Sequence, residues 1–266
     1  MILECFFDGG NQSDSRIYDY VSLAVVAGTF REWKPFNREW KRNLIRHGAP
    51  WLHTTDAVTG NYPYSKDKGW NRKKIDSFLL SCVKIVNKHI ARPLHDDYLG
   101  KAGILPYVVT INLKDYVQAL SEAEGVPNSA NEVLALDTVN ACMSFGKDYI
   151  GANKFRLVYD QNEPFRGHIV DRRKSQRALK AYPVLEEIVE IKEDDSRLVP
   201  ALQVADLFAY CYSHKRDAGS KPKWEEKVLK IPLNEGYGDK SRLMKPIPKT
   251  VEVVRSLKLP KRAKTR

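Results

Sequence analysis

Apolar residues along the chain alternate between short continuous runs and stripes spaced three and four apart. That pattern predicts an α/β protein. "ILECFF", residues 2–7, predicts a strand that ends at Asp8, with the breaker "GGNQSDS" behind it. "YVSLAVVAG", residues 20–28, predicts a second strand, and the gap suits an antiparallel hairpin with a generous loop. Trp33, Phe36, Trp40 and Leu44 recur at helical spacing over 33–47, with Pro35 near the start. "PWLHTTDA", residues 50–57, reads as a short strand running into a loop, and 58–70 as a loop bearing Tyr62, Tyr64 and Trp70. Residues 71–90 predict a helix with Ile75, Phe78, Leu79, Cys82, Val83 and Val86 on one face. Residues 106–113 suit either a strand or the start of a helix. A helix over 130–149, a strand "KFRLVYD" over 154–160, a basic helix over 165–181 and a strand over 186–193 follow.

The last strong element is "VPALQVADLFAYCYSHK", residues 199–215. It is apolar nearly all round, and Gln203 and Asp206 interrupt it. Positions three apart share a helix face, so an amide and a carboxylate point the same way. A buried carboxylate is paired with a cation or bound to a metal. Asp206 is therefore either half of a structural ion pair or part of a site. No repeat or linker divides the elements. The expectation is one domain over 1–255 and a solvated basic tail over 256–266.

Composition narrows the class. The chain has 266 residues, 42% hydrophobic and 29% charged, which is ordinary globular composition. No apolar run reaches bilayer-spanning length, and the N-terminus lacks the basic segment and cleavage site of a signal peptide. Cys5, Cys82, Cys142 and Cys211 are scattered in apolar contexts, which predicts buried reduced thiols and a cytoplasmic protein with no zinc site. Lys and Arg number 44 against 33 Asp and Glu, a net charge of +11. With an isoelectric point near 9.4, the chain is biased toward polyanions such as nucleic acid.

Two strands end in an acid: Asp8 before "GGN" and Asp160 before "QNE". Ligands of open α/β sheets collect at the carboxyl ends of strands. Adjacent strands would bring Asp8 and Asp160 together, and a helix packed nearby would add Asp206. Three carboxylates share a small volume only when protonated or neutralised. A hard cation with oxygen ligands, Mg²⁺ or Mn²⁺, does this, and such sites cut phosphodiesters. Each Asp alone also suits a turn or cap role. His53 and Asp56 in "LHTTD" lie near the same rim. His53 is a candidate general base or substrate contact, and Asp56 a candidate fourth ligand.

These stretches together resemble the domain-of-unknown-function 3800 family, whose fold is of the ribonuclease H type. The residues that carry the resemblance are "FFDGGN" at 6–11, "LAVVAG" at 23–28, "WLHTTDA" at 51–57, "LVYDQ" at 157–161 and "ALQVADLFA" at 201–209, in the family's order. The resemblance implies a ribonuclease H-like mixed sheet flanked by helices. It implies an acidic centre of Asp8, Asp160 and Asp206, with His53 and Asp56 as neighbours and Gln203 orienting or contacting substrate. One position departs: the family's Glu after the first Asp is Gly9 here. If that Glu is a ligand or base, Asp56 or Asp14 would have to compensate.

The basic helix after Asp160 supplies Arg166, Arg172, Arg173, Lys174, Arg177 and Lys180 as candidate phosphate contacts, with "NRKK" at 71–74, and the loop over 58–70 supplies Tyr62, Tyr64 and Trp70 as candidate base-stacking aromatics. A charge run is also commonly a solvated face, and loop aromatics commonly fold back on a core. The expected function is metal-dependent hydrolysis of phosphodiester bonds in DNA or RNA. The rivals are a nucleic-acid-binding module with a degenerate centre and a partner-binding protein whose acids pair with Arg.

Overall fold

The computed structural model describes residues 1–10, 20–95, 98–101, 103–114, 116–117, 129–214 and 221–231. The segment with Asp14 and the basic tail over 256–266 lie outside the described residues. Among the described residues there are seven strands: β1 (Ile2–Gly10), β2 (Tyr20–Gly28), β3 (Arg92–His95), β4 (Tyr98–Lys101), β5 (Leu105–Asn112), β6 (Lys154–Asp160) and β7 (Ile188–Asp194). The main sheet has the order β5-β2-β1-β6-β7, and β3 and β4 form a separate hairpin. β1 pairs antiparallel with β2 and β2 with β5, whereas β6 runs parallel to both β1 and β7. This mixed five-stranded sheet flanked by helices is consistent with a ribonuclease H-like α/β fold.

The helices are α1 (Phe30–His47), α2 (Thr54–Thr59), α3 (Arg72–His89), α4 (Ala130–Ile150), α5 (Pro164–Arg173), α6 (Gln176–Ala181), α7 (Pro200–Ser213) and α8 (Lys223–Leu229). Strand alternation distributes them into layers. Leu3, Cys5 and Phe7 of β1, with Phe155, Leu157 and Tyr159 of β6, face the core built on α4 and α5. Ala24 and Val26 of β2 face the other core, built on α1, α3 and α7. The period of two therefore turns Asp8 and Asp160 toward the layer that contains α7.

Local chemistry explains the ends. Thr29 N donates to Glu32 Oε2 at 2.9 Å ahead of α1, whose Trp33, Phe36, Trp40 and Leu44 stripe is buried. Asn71 Oδ1 accepts from Lys74 N at 2.9 Å and caps α3. Gly10 lets α7 approach. A Cβ there would meet Ala209 O at 2.8 Å and the Ser213 and Ser22 hydroxyls at 2.8 and 2.9 Å.

Several expectations need correction. Residues 50–53 are not a strand: His53 is extended and Thr54–Thr59 is helical. The stretch 165–181 is two helices, parted where the Ser175 hydroxyl accepts from Ala178 N and starts α6. Residues 106–112 belong to strand β5, and 113 begins a helical turn. All four cysteines are buried and free, as expected. No helix among the described residues is long and apolar enough to cross a membrane.

Candidate functional site

The β1–β6 register places Phe7 beside Tyr159, so the next step sets Asp8 beside Asp160. Neighbouring strands lie about 4.8 Å apart, and both acids project from the same face. α7 crosses that face and brings Asp206. Asp8 and Asp206 are each 7% exposed. The three acids predicted from sequence therefore converge on one rim of the sheet.

A fourth acid joins them. After β6 the chain turns sharply at Asn162, whose φ of 65° is left-handed, a conformation Asn tolerates well. The turn closes with Glu163 N donating to Asp160 O at 3.3 Å. It swings the Glu163 carboxylate onto β1, where Gly9 N donates to Glu163 Oε1 at 3.3 Å and to Asp8 Oδ1 at 2.8 Å. The residue facing Gly9 is thus an acid from another segment. The signal in the sequence was an acid three residues beyond a strand-terminal Asp and just before Pro164.

The acids repel one another. Burial, together with the charges of Glu163, Asp206 and Asp160, pushes the Asp8 carboxyl well above its ordinary range. Burial also raises Asp206, against the opposing pull of His53 and Thr54. Thr54 N and Oγ1 both donate to Asp206 Oδ2 at 2.6 Å. Asp160 Oδ1 accepts from Ser196 N at 2.9 Å. Among the described residues, no Lys or Arg forms an ion pair with Asp8, Asp160 or Asp206. At longer range Asp160 attracts Arg197, and His53 favours the charged form of Asp206.

His53 Nδ1 lies 2.8 Å from Asp56 Oδ2, with their side chains 45% and 31% exposed. Burial works against protonation of His53, but the charges of Asp206, Asp56 and Asp160 outweigh it and raise its pKa. His53 is thus biased toward imidazolium, a proton donor and counter-charge rather than a base. Asp56 orients the ring and also accepts from Asn61 Nδ2 at 3.4 Å.

Gln203 is an orienting residue. Its Oε1 accepts from Trp40 Nε1 at 2.7 Å and Leu52 N at 3.1 Å, while Nε2 donates to Ser196 O at 2.8 Å and Arg197 O at 3.4 Å. At 1% exposure, with its amide engaged on both sides, it leaves nothing for a substrate to touch.

The candidate cations Arg172, Arg173 and Lys174 are engaged away from the rim, whereas Arg166, three residues after Glu163, pairs with Glu193 at 3.4 Å. Arg172 bonds Glu132 through Nε at 2.7 Å and through Nη2. Arg173 Nη2 donates to Ile188 O at 2.8 Å. Ile188 pairs with Phe155, at the far end of β6 from Asp160. Five residues at about 3.3 Å each put that contact roughly 17 Å from the acids. Lys174 pairs with Asp171 at 3.3 Å on the surface. Arg177 lies on α6, and its side chain is outside the described set. Of the three stacking candidates, Tyr64 and Trp70 are buried at 1% and 3% exposure, and Tyr62 alone is open at 67%.

Carboxylate oxygens of four residues on three segments are the donor type that Mg²⁺ and Mn²⁺ take. As the side chains stand, no group of three or more His, Cys, Asp or Glu among the described residues is arranged to hold a metal ion. No family model, curated protein or solved structure matches the chain, so the site itself carries the functional argument.

Proposed function

We propose that this protein hydrolyses phosphodiester bonds in nucleic acid with a divalent cation, Mg²⁺ or Mn²⁺, held by Asp8, Asp160 and Asp206 with Glu163. One observation carries the reading: these acids gather at one sheet rim with mutual repulsion and no Lys or Arg partner on the three aspartates among the described residues. Clustered carboxylates repel one another, and a hard cation relieves that cost. When bound, the cation supplies charge neutralisation and an acidified water. Glu163 fills the role that Gly9 vacates relative to the resembled family, in preference to Asp56, which is committed to His53. In this reading His53 protonates the leaving oxygen, and Asp56, 2.8 Å from its Nδ1, holds the ring. A cytoplasmic setting and a nucleic-acid partner belong to the same proposal, supported by the basic charge and the reduced cysteines.

A second reading has its own support. The open arrangement of the acids and Gly9 favour a nucleic-acid-binding module without catalysis. Cleavage of a labelled oligonucleotide with Mn²⁺, compared between wild type and Asp206→Asn, separates them. Cleavage that disappears in the variant supports hydrolysis. Binding without cleavage at any Mn²⁺ concentration supports the module.

A further inference from the structure

We propose that Trp51 and Tyr62 form a stacking platform for an unpaired base, so that the acids receive single-stranded nucleic acid. The inference deepens the phosphodiester reading and rests on it for the chemistry, though binding at the platform needs no catalysis. Tyr62 is 67% exposed in a loop whose neighbours Tyr64 and Trp70 are buried. A large ring left in water beside two buried ones has a free face to offer. Its ring centroid lies 6.2 Å from that of the half-buried Trp51, at 61°.

The backbone on either side of the pair is tied to segments that carry the site. The Tyr64 hydroxyl donates to Trp51 O. Tyr64 itself packs edge-on against Trp70 at 5.0 Å, which fixes the base of the loop. Asn61 N donates to Asp56 O at 3.0 Å and Tyr64 N to Asn61 O at 2.6 Å, so Tyr62 sits on a tight turn anchored to the residue that orients His53. Trp51 precedes by three residues Thr54, the donor of both bonds to Asp206. Three residues span at most about 11 Å. A base on Tyr62 and a phosphate at the acids therefore belong to one short strand.

Charge agrees with that occupant. Lys66, Lys68 and Lys73, on the segment following Tyr62, are exposed. They offer phosphate contacts that Arg172 and Arg173, engaged elsewhere, do not. Stacking selects the strandedness. A paired base has both faces covered by its neighbours, whereas an unpaired base can turn onto an aromatic ring.

The test uses the full chain in EDTA, with fluorescein-labelled dT and rU 12-mers and a 12-base-pair duplex, read by anisotropy. Wild type is expected to bind both single strands at least fivefold more tightly than the duplex. Tyr62→Ala is expected to lose fivefold or more on single strands and little on duplex, and Tyr62→Phe to restore binding. Lys66→Ala with Lys68→Ala is expected to weaken all three probes alike. Equal affinity of wild type and Tyr62→Ala for single strands, or no preference over duplex, overturns the platform. Hydrolysis of bis-(p-nitrophenyl) phosphate with Mn²⁺ tests the catalytic reading separately, because that small ester needs no stacked base. Turnover of it with unchanged Tyr62→Ala binding rejects the platform alone. No turnover with Tyr62-dependent binding rejects catalysis alone.

Discussion

Replacing Asp8 with Asn is expected to stabilise the cation-free protein at neutral pH. Asp8 is 7% exposed and its carboxyl is raised by burial, then by Glu163, Asp206 and Asp160. Two carboxylates about 5 Å apart repel by about 3 kcal/mol at an effective dielectric near 20. Asn removes one charge and keeps an oxygen for Gly9 N and an N–H for Glu163, so it imitates the protonated acid. A relief of about 1–3 kcal/mol follows once neighbouring side chains adjust. At roughly 2–4 °C per kcal/mol for a chain of this size, Tm should rise by about 2–12 °C. The sign with pH follows from the raised pKa. Above the ordinary carboxyl value, folded wild type holds more protons than unfolded, so its stability falls as pH rises through that window. The gain in the variant should be largest at pH 7.5 and vanish near pH 4. The assay is thermal unfolding in EDTA across that range, repeated with Mn²⁺. Mn²⁺ at a hundred times its Kd adds about 2.7 kcal/mol to a protein that binds it only when folded. It should raise wild type, more at higher pH, and raise the variant little. An Asp8→Asn protein that melts below wild type in EDTA at pH 7.5, with Mn²⁺ inert on both, would refute the reasoning.

Gln203→Ala strips acceptors from Trp40 Nε1 and Leu52 N and a donor from Ser196 O. The loss should be about 3–5 kcal/mol in denaturant unfolding, from stranded buried polar groups. Gly10→Ala drives a Cβ to 2.8 Å from a helix carbonyl; overpacking of that kind costs about 1–3 kcal/mol in the same assay. His53→Gln should remove the limb of the pH–rate profile on which activity falls as pH rises through the elevated His53 pKa. Arg172→Ala should lower Tm by breaking the bond to Glu132 and leave oligonucleotide affinity unchanged, which a titration at fixed salt checks.

Alternation made the sheet legible. In β1, Leu3, Cys5 and Phe7 turn one way and Asp8 the other, a relation visible in the bare string. The same period carried Asp160, and the three-residue spacing on α7 carried Asp206. What escaped was set by tertiary context. Thr54 and Thr55 are β-branched and read as strand, yet six residues become helical because His53 precedes them extended and Thr54 is fastened to Asp206. Ser175 is an ordinary polar residue in a basic run until its hydroxyl starts a new helix. The hairpin β3–β4 and helix α8 are short and carry little periodic signal. Glu163 escaped because its position depends on a left-handed Asn162, and that turn follows no hydrophobic pattern. The basic helix misled because charge in sequence does not say where a side chain points. The partners of Arg172 and Arg173 lie on other elements.

The amide of Gln203 has an architectural corollary. It grips the strand-like approach to His53 through Leu52 and the turn after β7 through Ser196, whose own N–H holds Asp160. Two loops from distant parts of the chain are thereby gauged against a single turn of α7. Their separation cannot drift independently during divergence, because any shift in one must be matched by the other across the same amide. A graft of this centre onto another sheet would therefore have to carry Gln203 together with Asp206. A Glu in its place would keep the acceptor for Trp40 and lose the donor to Ser196, leaving one loop gauged and the other loose.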